Sequence, residues 1–480
     1  MIFALYSEIN DSTIQSNLGR PQYSYYFLLK SFRVVFESLG EVVIIEDPAS
    51  EVDQLYDDCR SKNQTCLFVC FTPPYLAPTF LRCPTVCLFA WEFSTVPCAS
   101  WNQNPAHDWR YVFTRHAGVI TTSNYTANIV SDVLRSSNET VPVLAIPSPI
   151  WDDFAALRGK DPLAHLNSGS TIPVSGFLQD TDAIDFDLGN LLPRYFVTPK
   201  LYSIPNPNET TASNGTRNWR ARIESTRKHW RNWYDEVFKL QYDSGSVGTR
   251  ADEQATNQAI ESLPLDLSGV VYTTILNPED GRKCHIDILS AFIWAFRNNS
   301  DVTLVMKMLQ QDADGYRMTL NHTLHQLYPF KCRVIIFNGY LNAAEYQSLI
   351  DASTYYVNTS HCEGLCLPLM EFLSSGKPVI APDHTAMRDY INEEIAFVIE
   401  TNKETNVWPH DPTGHYTTER YRNNWETIVR QYLDSYRIAT EDQGKYRSMS
   451  NAAKQAMAGF CSFESVQRKM QTFVNDVCGL

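Results

Sequence analysis

The sequence has 480 residues, of which 44% are hydrophobic and 20% are charged. This apolar fraction excludes a disordered chain, because so much hydrophobic surface can be buried in a core. The chain carries 40 basic and 54 acidic side chains, and its net charge of −14 excludes a general nucleic-acid-binding protein, since phosphate contacts need a basic surface. At about 150 residues per domain, the length predicts roughly two to four domains.

Targeting signals and metal motifs are missing from the sequence pattern. No stretch reaches the roughly 20 apolar residues that span a bilayer. The first residues, MIFALYSEINDSTIQ, lack the basic segment and the long apolar run of a secretion signal. The 12 cysteines are interpreted as buried, reduced thiols, because no nearby histidines complete a zinc pattern. We therefore expect a cytoplasmic protein.

Short apolar strands alternate with helical patterns over residues 1–150. The predicted strands are IFALY, EVVII, TCLFVCF, TVCLFAWEF, AGVITTS and VPVLAI. Helical patterns cover residues 25–39 and 125–135. Because this alternation is typical of a parallel sheet covered on both faces, residues 1–150 are predicted to form one doubly wound, Rossmann-like domain.

The alternation stops over residues 151–265. This stretch is rich in Pro, Asn, Ser, Thr and Gly, and we predict an insertion or linker associated with the N-terminal domain. One helical pattern interleaves basic residues with Trp219, Trp230 and Trp233. That pattern fits contact with a membrane surface or an anionic acceptor, and it equally fits an amphipathic helix whose tryptophans pack on a neighbour.

The alternation resumes with GVVYTTIL, VTLVMKML, CRVIIFN, TYYVNTS and PVIAP as predicted strands. Helical patterns near residues 286–296, 343–352 and 364–374 separate them. Residues 266–455 are therefore predicted to form a second α/β domain. The tail, residues 456–480, is predicted to be a helix that packs across to the N-terminal domain.

The most informative pattern is TYYVNTSHCEGLCLPLMEFLSSGKPVIAPDHTAMRDYI, at residues 354–391. Glu363-Gly364 opens a short apolar helix, and Ser-Gly-Lys-Pro ends it before the next strand. Because Gly364 has no side chain, a ligand can approach the backbone N–H groups of Leu365 and Cys366. Free N–H groups at the positive end of a helix dipole favour an anion, and a diphosphate would suit this place.

Glu371 follows Glu363 after about two helical turns, so both carboxylates can line one edge of a cleft. Its neighbours Met370 and Phe372 are apolar, which predicts a largely buried position. A buried carboxylate needs a partner, and ligand hydroxyls can supply one. On the residues alone, an ordinary surface carboxylate is an equal alternative.

The order Glu-x7-Glu followed by Ser-Gly-Lys-Pro-Val-Ile-Ala resembles the retaining GT-B glycosyltransferases of family 4 (group 1). In that family the first Glu contacts the donor sugar and the second binds ribose hydroxyls, which implies these roles for Glu363 and Glu371. The resemblance covers residues 268–400, is weaker over residues 1–150 and is absent over residues 152–262. It implies an α/β protein of the GT-B class, in which two Rossmann-like, doubly wound domains face a central cleft and a C-terminal helix crosses back.

The segment TTILNPEDGRKCHIDILSAF resembles the family segment whose basic residues bind the donor diphosphate, which implies this role for Arg282 and Lys283. Such a pair can neutralise a leaving diphosphate without a metal ion, and a solvated basic pair in a turn is the alternative. The resemblance also places a nucleobase contact at Asn338-Gly339-Tyr340-Leu341. The complete set of predicted donor-binding residues is Gly19, Asn338, Gly339, Tyr340, Gly364, Leu365, Cys366, Leu367 and Glu371.

The N-terminal domain matches the family less closely. Gly19 stands where the family has glycines that let the donor phosphate and the acceptor approach, and a turn glycine is the alternative. The family often has a His at the end of a later strand, where this sequence has Trp91-Glu92. Glu92 could orient the acceptor hydroxyl or pair with a basic residue. His116 is interpreted as structural, and His384 as a candidate to border the cleft. The predicted catalytic residues are Glu363, Arg282, Lys283 and Glu92.

The resemblance implies retaining, metal-independent transfer of a sugar to an acceptor hydroxyl in glycan or polysaccharide biosynthesis. The donor would be a UDP- or GDP-linked sugar, with no further cofactor, and the acceptor a glycan, a lipid-linked molecule or another hydroxyl compound. No nucleic-acid partner is expected, whereas the Trp-rich basic pattern allows peripheral contact with the membrane surface. A non-catalytic GT-B scaffold that binds sugar nucleotides is the alternative, because the usual His is missing.

Overall fold

The computed structural model describes residues 1–10, 13, 23–100, 103–184, 263–308, 313–408, 411, 414 and 416–479. The prediction for Gly19 and the interpretation of the basic, Trp-rich pattern near residues 219–240 both lie outside the described residues.

The N-terminal sheet is fully parallel and has the order β2-β1-β3-β4-β5-β6. Its strands are β1 (Ile2–Tyr6), β2 (Glu41–Ile44), β3 (Cys66–Phe71), β4 (Thr85–Phe89), β5 (Gly118–Thr121) and β6 (Val143–Ala145). Its helices are α1 (Tyr23–Leu39), α2 (Pro48–Ser61), α3 (Trp109–Phe113) and α4 (Asn124–Ser136). Strands β3 and β4 are buried along their whole length, which explains their unbroken apolar sequence.

The described strands of the stretch predicted as an insertion pack with the C-terminal sheet rather than the N-terminal one. After two short helices, β7 pairs with β9, and β8 adds an antiparallel strand to the edge of the second sheet. These elements are α5 (Ala155–Arg158), α6 (His165–Ser168), β7 (Ser170–Val174), β8 (Phe177–Asp180) and β9 (Leu263–Leu267). The buried positions of β7 and β9 alternate with exposed ones, and they pack with Val271, Val305 and Ile335 in one core. Their Pro- and Ser-rich composition concealed this alternation.

The C-terminal sheet has the order β15-β14-β13-β10-β11-β12-β8 and is parallel except for β8. Its remaining strands are β10 (Val270–Leu276), β11 (Val302–Met308), β12 (Arg333–Asn338), β13 (Tyr355–Val357), β14 (Val379–Ala381) and β15 (Ala396–Val398). The helices between them are α7 (His285–Phe296), α8 (Ala313–Leu327), α9 (Ala343–Ala352) and α10 (Leu367–Ser374). This is the parallel βαβ arrangement expected for alternating strands and helices.

An unpredicted hairpin and three helices complete the described chain. They are β16 (Thr401–Val407), β17 (Thr417–Asn423), α11 (Trp425–Glu441), α12 (Gln443–Cys461) and α13 (Phe463–Cys478). Helix α13 returns to the N-terminal sheet, where Gln467 Nε2 lies 2.8 Å from Ser38 Oγ. Gly118 of β5 allows this close packing, because a Cβ atom at that position would lie only 2.7 Å from the Phe473 ring. None of the helices described is both long and apolar enough to cross a membrane.

Candidate active site

The four residues predicted to be catalytic meet where the carboxyl ends of the two sheets face each other. Glu92 follows β4, Arg282 and Lys283 follow β10, and Glu363 follows β13. Lys283 Nζ lies 2.6 Å from Glu363 Oε1, and Arg282 Nη1 lies 3.0 Å from Glu363 Oε2. Each oxygen of one carboxylate is therefore held by a different cation.

Glu363 is also held by neutral donors. The Ser360 hydroxyl and the Asn358 amide donate to Glu363 Oε1 at 2.6 and 3.2 Å. Its side chain is only 4% exposed. Burial opposes ionisation, but the Lys283 ammonium and the Arg282 guanidinium outweigh it, so the pKa of Glu363 lies well below its usual range. Glu363 is a fixed carboxylate at neutral pH.

Glu92 connects the two halves of the site. Its Oε1 lies 3.3 Å from Arg282 Nε, which also lies 3.0 Å from Asp280 Oδ2. Of the two roles left open for Glu92, the structure therefore has the pairing with a basic residue. Burial raises the pKa of Glu92, and Arg282 opposes that effect. Three carboxylates (Glu92, Asp280 and Glu363) surround two cations, so any anionic ligand would have to compete with carboxylates for Arg282.

The unpredicted hairpin fixes the loop that carries Glu92. Thr95 Oγ1 donates to the Thr417 carbonyl at 2.6 Å, and the Glu419 N–H donates to Ser94 Oγ at 2.7 Å. Behind the loop, the Trp91 ring packs against Trp408, with centroids 5.8 Å apart. After β4, a buried Trp with a structural role is thus followed by a carboxylate that pairs with Arg282.

Gly364 has a packing role that the sequence did not indicate. A Cβ atom on Gly364 would lie 2.9 Å from the Trp91 backbone nitrogen, and the Thr122 hydroxyl donates to the Gly364 carbonyl at 2.7 Å. The face of Gly364 expected to admit a ligand is therefore closed by the N-terminal half of the site. Glycine is needed here because two backbones approach closely.

The helix expected to begin near Gly364 begins at Leu367 instead, in α10. The backbone N–H groups of Leu365, Cys366 and Leu367 meet no acceptor within the described part of the chain. Leu365 and Cys366 are buried, so their unpaired donors are costly unless a ligand supplies an acceptor. The predicted anion position thus keeps its donors, although the helix starts later.

Strained backbone surrounds Glu363. Cys284, Cys366 and Thr385 have φ values of 50, 65 and 49°, in the left-handed region that glycine usually occupies. Cys284 directly follows Lys283, Cys366 precedes α10, and Thr385 Oγ1 accepts the Glu363 N–H at 3.0 Å. Such positions cost on the order of 1–3 kcal/mol each and cluster at ligand-binding sites.

Glu371 lies further along the same edge. Its residue keeps only limited solvent exposure, in line with the largely buried position predicted, and the Tyr346 hydroxyl of α9 donates to its Oε2 atom. Burial raises the pKa of Glu371 to about 7, and the carboxylate of Asp153 adds to this effect. Lys307, on β11, is the cation that acts on Glu371 electrostatically.

The loop predicted to contact the nucleobase follows β12 at the same edge. A Cβ atom on Gly339 would lie 2.4 Å from the Ser175 carbonyl, and one on Gly176 would lie 2.4 Å from the Asn338 carbonyl. Both glycines are therefore explained by a close crossing of two chain segments. The Tyr340 side chain is exposed beside this crossing.

Known proteins are similar to this chain in part of its sequence and in its fold. Residues 332–407 match the model of the family described as glycosyl transferases group 1, a range that holds Glu363 and Glu371 but not Arg282. A glycosyltransferase structure from Rickettsia africae ESF-5 has a TM-score of 0.50 at 11% identity, covering 99% of this chain and 98% of that chain. Sucrose-phosphate synthase from Thermosynechococcus elongatus has a TM-score of 0.50 at 10% identity, covering 100% and 99%.

This chain has the GT-B glycosyltransferase fold. The predicted fold class is therefore confirmed, including two Rossmann-like sheets and a C-terminal helix that crosses back. None of the curated protein sequences compared is significantly similar to the chain.

Within this GT-B fold, the sequence missed several residues that build the site. Lys307 had a usable signal, because a charged residue inside the apolar strand VTLVMKM is unusual. Tyr346, Ser360 and Thr385 had none, since polar residues in loops and helices are common. In the described ranges, no group of three or more His, Cys, Asp or Glu side chains is arranged to hold a metal ion.

The two histidines considered from the sequence are both buried. His116 Nε2 lies 2.9 Å from the Pro78 carbonyl, as expected for a structural residue. His384 is 1% exposed and stacks on Tyr421, with ring centroids 4.4 Å apart. Burial lowers the pKa of His384 to about 3, so the ring is neutral. His384 contacts Thr385, and this contact connects it to the Glu363 loop.

Proposed function

We propose that this chain is a retaining glycosyltransferase of the family 4 type, which transfers a sugar from a UDP- or GDP-linked donor to an acceptor hydroxyl. The observation that carries the proposal is that two cations, Arg282 and Lys283, form ion pairs with Glu363 where the two GT-B sheets face each other. The group 1 match supports it, because that range includes Glu363 and Glu371. The acceptor would be a glycan, a lipid-linked molecule or another hydroxyl compound, in glycan or polysaccharide biosynthesis.

The proposed reaction breaks the bond between the anomeric carbon and the diphosphate oxygen. Negative charge grows on that leaving oxygen, and Arg282, Lys283 and the N–H groups before α10 would stabilise it without a metal ion. The acceptor oxygen would form its new bond on the same face, and its proton would pass to the leaving phosphate oxygen. The transition state is thereby stabilised more than the bound donor.

Glu363 is poorly suited to act as a nucleophile. Both of its oxygens are engaged by cations, and the carboxylate also accepts bonds from Ser360 and Asn358. Its lone pairs are therefore occupied, and attack on the sugar would require breaking contacts that hold it. This supports a mechanism without a covalent glycosyl-enzyme intermediate, in which Glu363 positions the two cations.

Donor binding would rearrange the contact between Glu92 and Arg282. At 3.3 Å it is the longest of the three carboxylate contacts of Arg282, and it joins the two halves of the site. A diphosphate brings more negative charge, so exchange of Glu92 for a phosphate oxygen is the least costly change. Glu92 would then be released to accept a bond from the acceptor hydroxyl.

The test is a thermal-shift panel with UDP, GDP, ADP, CMP and their common sugar conjugates, on wild type and Glu371→Ala. A ligand that binds only the folded protein raises the melting temperature by mass action. We expect one nucleotide series to raise the melting temperature of wild type, and Glu371→Ala to lose that shift. The absence of a shift with every compound would contradict the proposal.

A non-catalytic, sugar-nucleotide-binding GT-B protein is a second candidate, favoured by the three carboxylates that already neutralise the two cations. Release of the nucleoside diphosphate distinguishes the two candidates. Binding with no release over hours, with or without acceptors, would support the second.

A further inference from the structure

Strand β17 joins the loops that carry two of the predicted catalytic residues. Its first residues bond to the loop after β4, which carries Glu92, and its last residues bond to the loop after β13, which carries Glu363. The two loops come from different sheets, and β17 belongs to neither of those sheets because it pairs with β16. The strand therefore fixes one loop relative to the other.

Thr418 forms the contact between β17 and the loop after β4. The Ser94 N–H donates to Thr418 Oγ1 at 3.1 Å, and the two hydroxyl oxygens lie 3.3 Å apart, so one hydroxyl donates to the other. The Glu419 N–H completes the contact by donating to Ser94 Oγ at 2.7 Å. Thr418 is only 3% exposed. Its oxygen is thus a buried acceptor for a backbone N–H two residues from Glu92, in a place where water does not easily replace it.

The loop after β4 transmits this contact to Glu92. Trp91 Nε1 donates to the Thr95 carbonyl at 2.9 Å, which closes the loop on itself around Glu92. The Glu92 backbone is therefore held on both sides, and its carboxylate lies 3.3 Å from Arg282 Nε. Loss of the Thr418 contact would move Glu92 relative to Arg282.

The other end of β17 holds the loop after β13 and, through it, Arg282. The Tyr421 N–H donates to the His361 carbonyl at 2.9 Å. The His361 N–H in turn donates to the Arg282 carbonyl at 2.8 Å. Both bonds join backbone groups, so this end does not depend on side chains. One strand thus positions Arg282 from one side of the ion pair and Glu92 from the other.

We propose that Thr418 is a positioning residue for the reaction, which holds Glu92 against Arg282 by way of Ser94. Its consequence for turnover rests on the proposed function, in which Glu92 leaves Arg282 and accepts a bond from the acceptor hydroxyl. A misplaced Glu92 meets that hydroxyl in the wrong geometry, and a misplacement of about 1 Å can cost roughly 100-fold in rate. The affinity for the donor is unchanged, because Glu92 does not bind the donor in this reaction.

The first test measures stability without any substrate. Melting temperatures are compared for wild type, Thr418→Val, Glu92→Gln and the variant with both substitutions, because such a cycle shows whether two side chains act through one another. If Thr418 positions Glu92, the change in melting temperature caused by Glu92→Gln is smaller in Thr418→Val than in wild type. Thr418→Ser, which keeps the oxygen, restores the wild-type change. Two changes that simply add overturn the inference.

The matched control is Thr405→Val, the same substitution at an exposed position of the same hairpin. In this variant, Glu92→Gln should change the melting temperature as much as it does in wild type. A reduced change in the control as well would mean that any alteration of the hairpin has this effect, and it would overturn the role assigned to Thr418.

Steady-state kinetics gives the second readout. With a donor that wild type turns over, Thr418→Val should lower kcat about 10- to 100-fold and leave KM for the donor unchanged. The same substitution should have no further effect in Glu92→Gln, whereas a general loss of folding would lower activity in both backgrounds. An equal fall of kcat in both backgrounds therefore overturns the inference.

A further variant is needed if Thr418→Val does not fold. Ser94→Ala removes the other hydroxyl of the contact and enters the same cycle with Glu92→Gln, with the same expected result. No turnover by wild type with any donor contradicts the proposed function alone, because the cycle of melting temperatures still decides whether Thr418 positions Glu92.

Discussion

Replacing Glu363 by Gln removes one charge from the carboxylate cluster and keeps the size of the side chain. Breaking a buried ion pair by removing one partner costs on the order of 3–5 kcal/mol. The lower end applies here, because Arg282 keeps Glu92 and Asp280, and the Lys283 side chain is 18% exposed and can regain water. We therefore expect a loss of roughly 3 kcal/mol of unfolding free energy.

For a chain of this size such a loss lowers the melting temperature by roughly 3 °C. The control is Glu404→Gln, in the exposed hairpin, where Arg420 and Arg422 also pair with one carboxylate. Solvent screens that cluster, so little change is expected there. Differential scanning calorimetry of both variants beside wild type gives the comparison.

The pH dependence of stability tests the ion pairs of Glu363 more sharply than the melting temperature at a single pH. The folded-state pKa of Glu363 is lowered from its usual 4.5 by Lys283 and Arg282 despite burial, so its stabilising charge is fully present above about pH 4.5 and is lost as the pH falls below it. The difference between wild type and Glu363→Gln should be constant near neutral pH and shrink in acid. A difference that does not change with pH would refute the assigned ion pairs and leave only a role in packing.

Three further predictions concern other residues of the site. Lys283→Ala should lower turnover far more than donor affinity, and unchanged turnover in steady-state kinetics would contradict its role at the leaving diphosphate. Gly364→Ala should cost about 1–3 kcal/mol of stability, because a Cβ atom would lie 2.9 Å from the Trp91 nitrogen. The control Gly459→Ala, with open space around it, should not destabilise the protein. Equal melting temperatures of the two variants would contradict this packing. Burial lowers the folded-state pKa of Lys307 to about 8 from 10.5. In denaturation curves, the stability of wild type should therefore rise relative to that of Lys307→Met between about pH 8 and 10.5. The same pH dependence of stability in both proteins would contradict the buried charge.

The sequence predicted the parts of the fold that repeat a simple pattern. The apolar strands of both sheets and the helices between them follow from periodicity, and Glu363, Arg282 and Lys283 come together as their motif implies. The hairpin of β16 and β17 could not be predicted in this way, because its strands read TNKETNV and TTERYRN and have no apolar face. The antiparallel backbone pairing of the two strands, from Thr401 with Asn423 to Val407 with Thr417, holds it instead.

Long-range contacts explain the other differences between the predicted and the observed site. Gly364 is a glycine because of Trp91, a residue far away in the chain, so its local pattern pointed to a ligand instead. Glu92 has its basic partner because Arg282 lies across the cleft, which no spacing within the N-terminal half encodes. Gly339 likewise depends on Gly176 and Ser175, in a stretch whose composition suggested an irregular linker.

The most direct test of the central claim is proton NMR of the protein with α-linked UDP- and GDP-sugars, with and without simple glycan acceptors. The spectra record release of the nucleoside diphosphate and the anomeric configuration of the first product. We predict release from one donor, an α-configured first product, and loss of both signals in Lys283→Ala. No release from any donor, or a β-configured first product, would contradict a retaining glycosyltransferase.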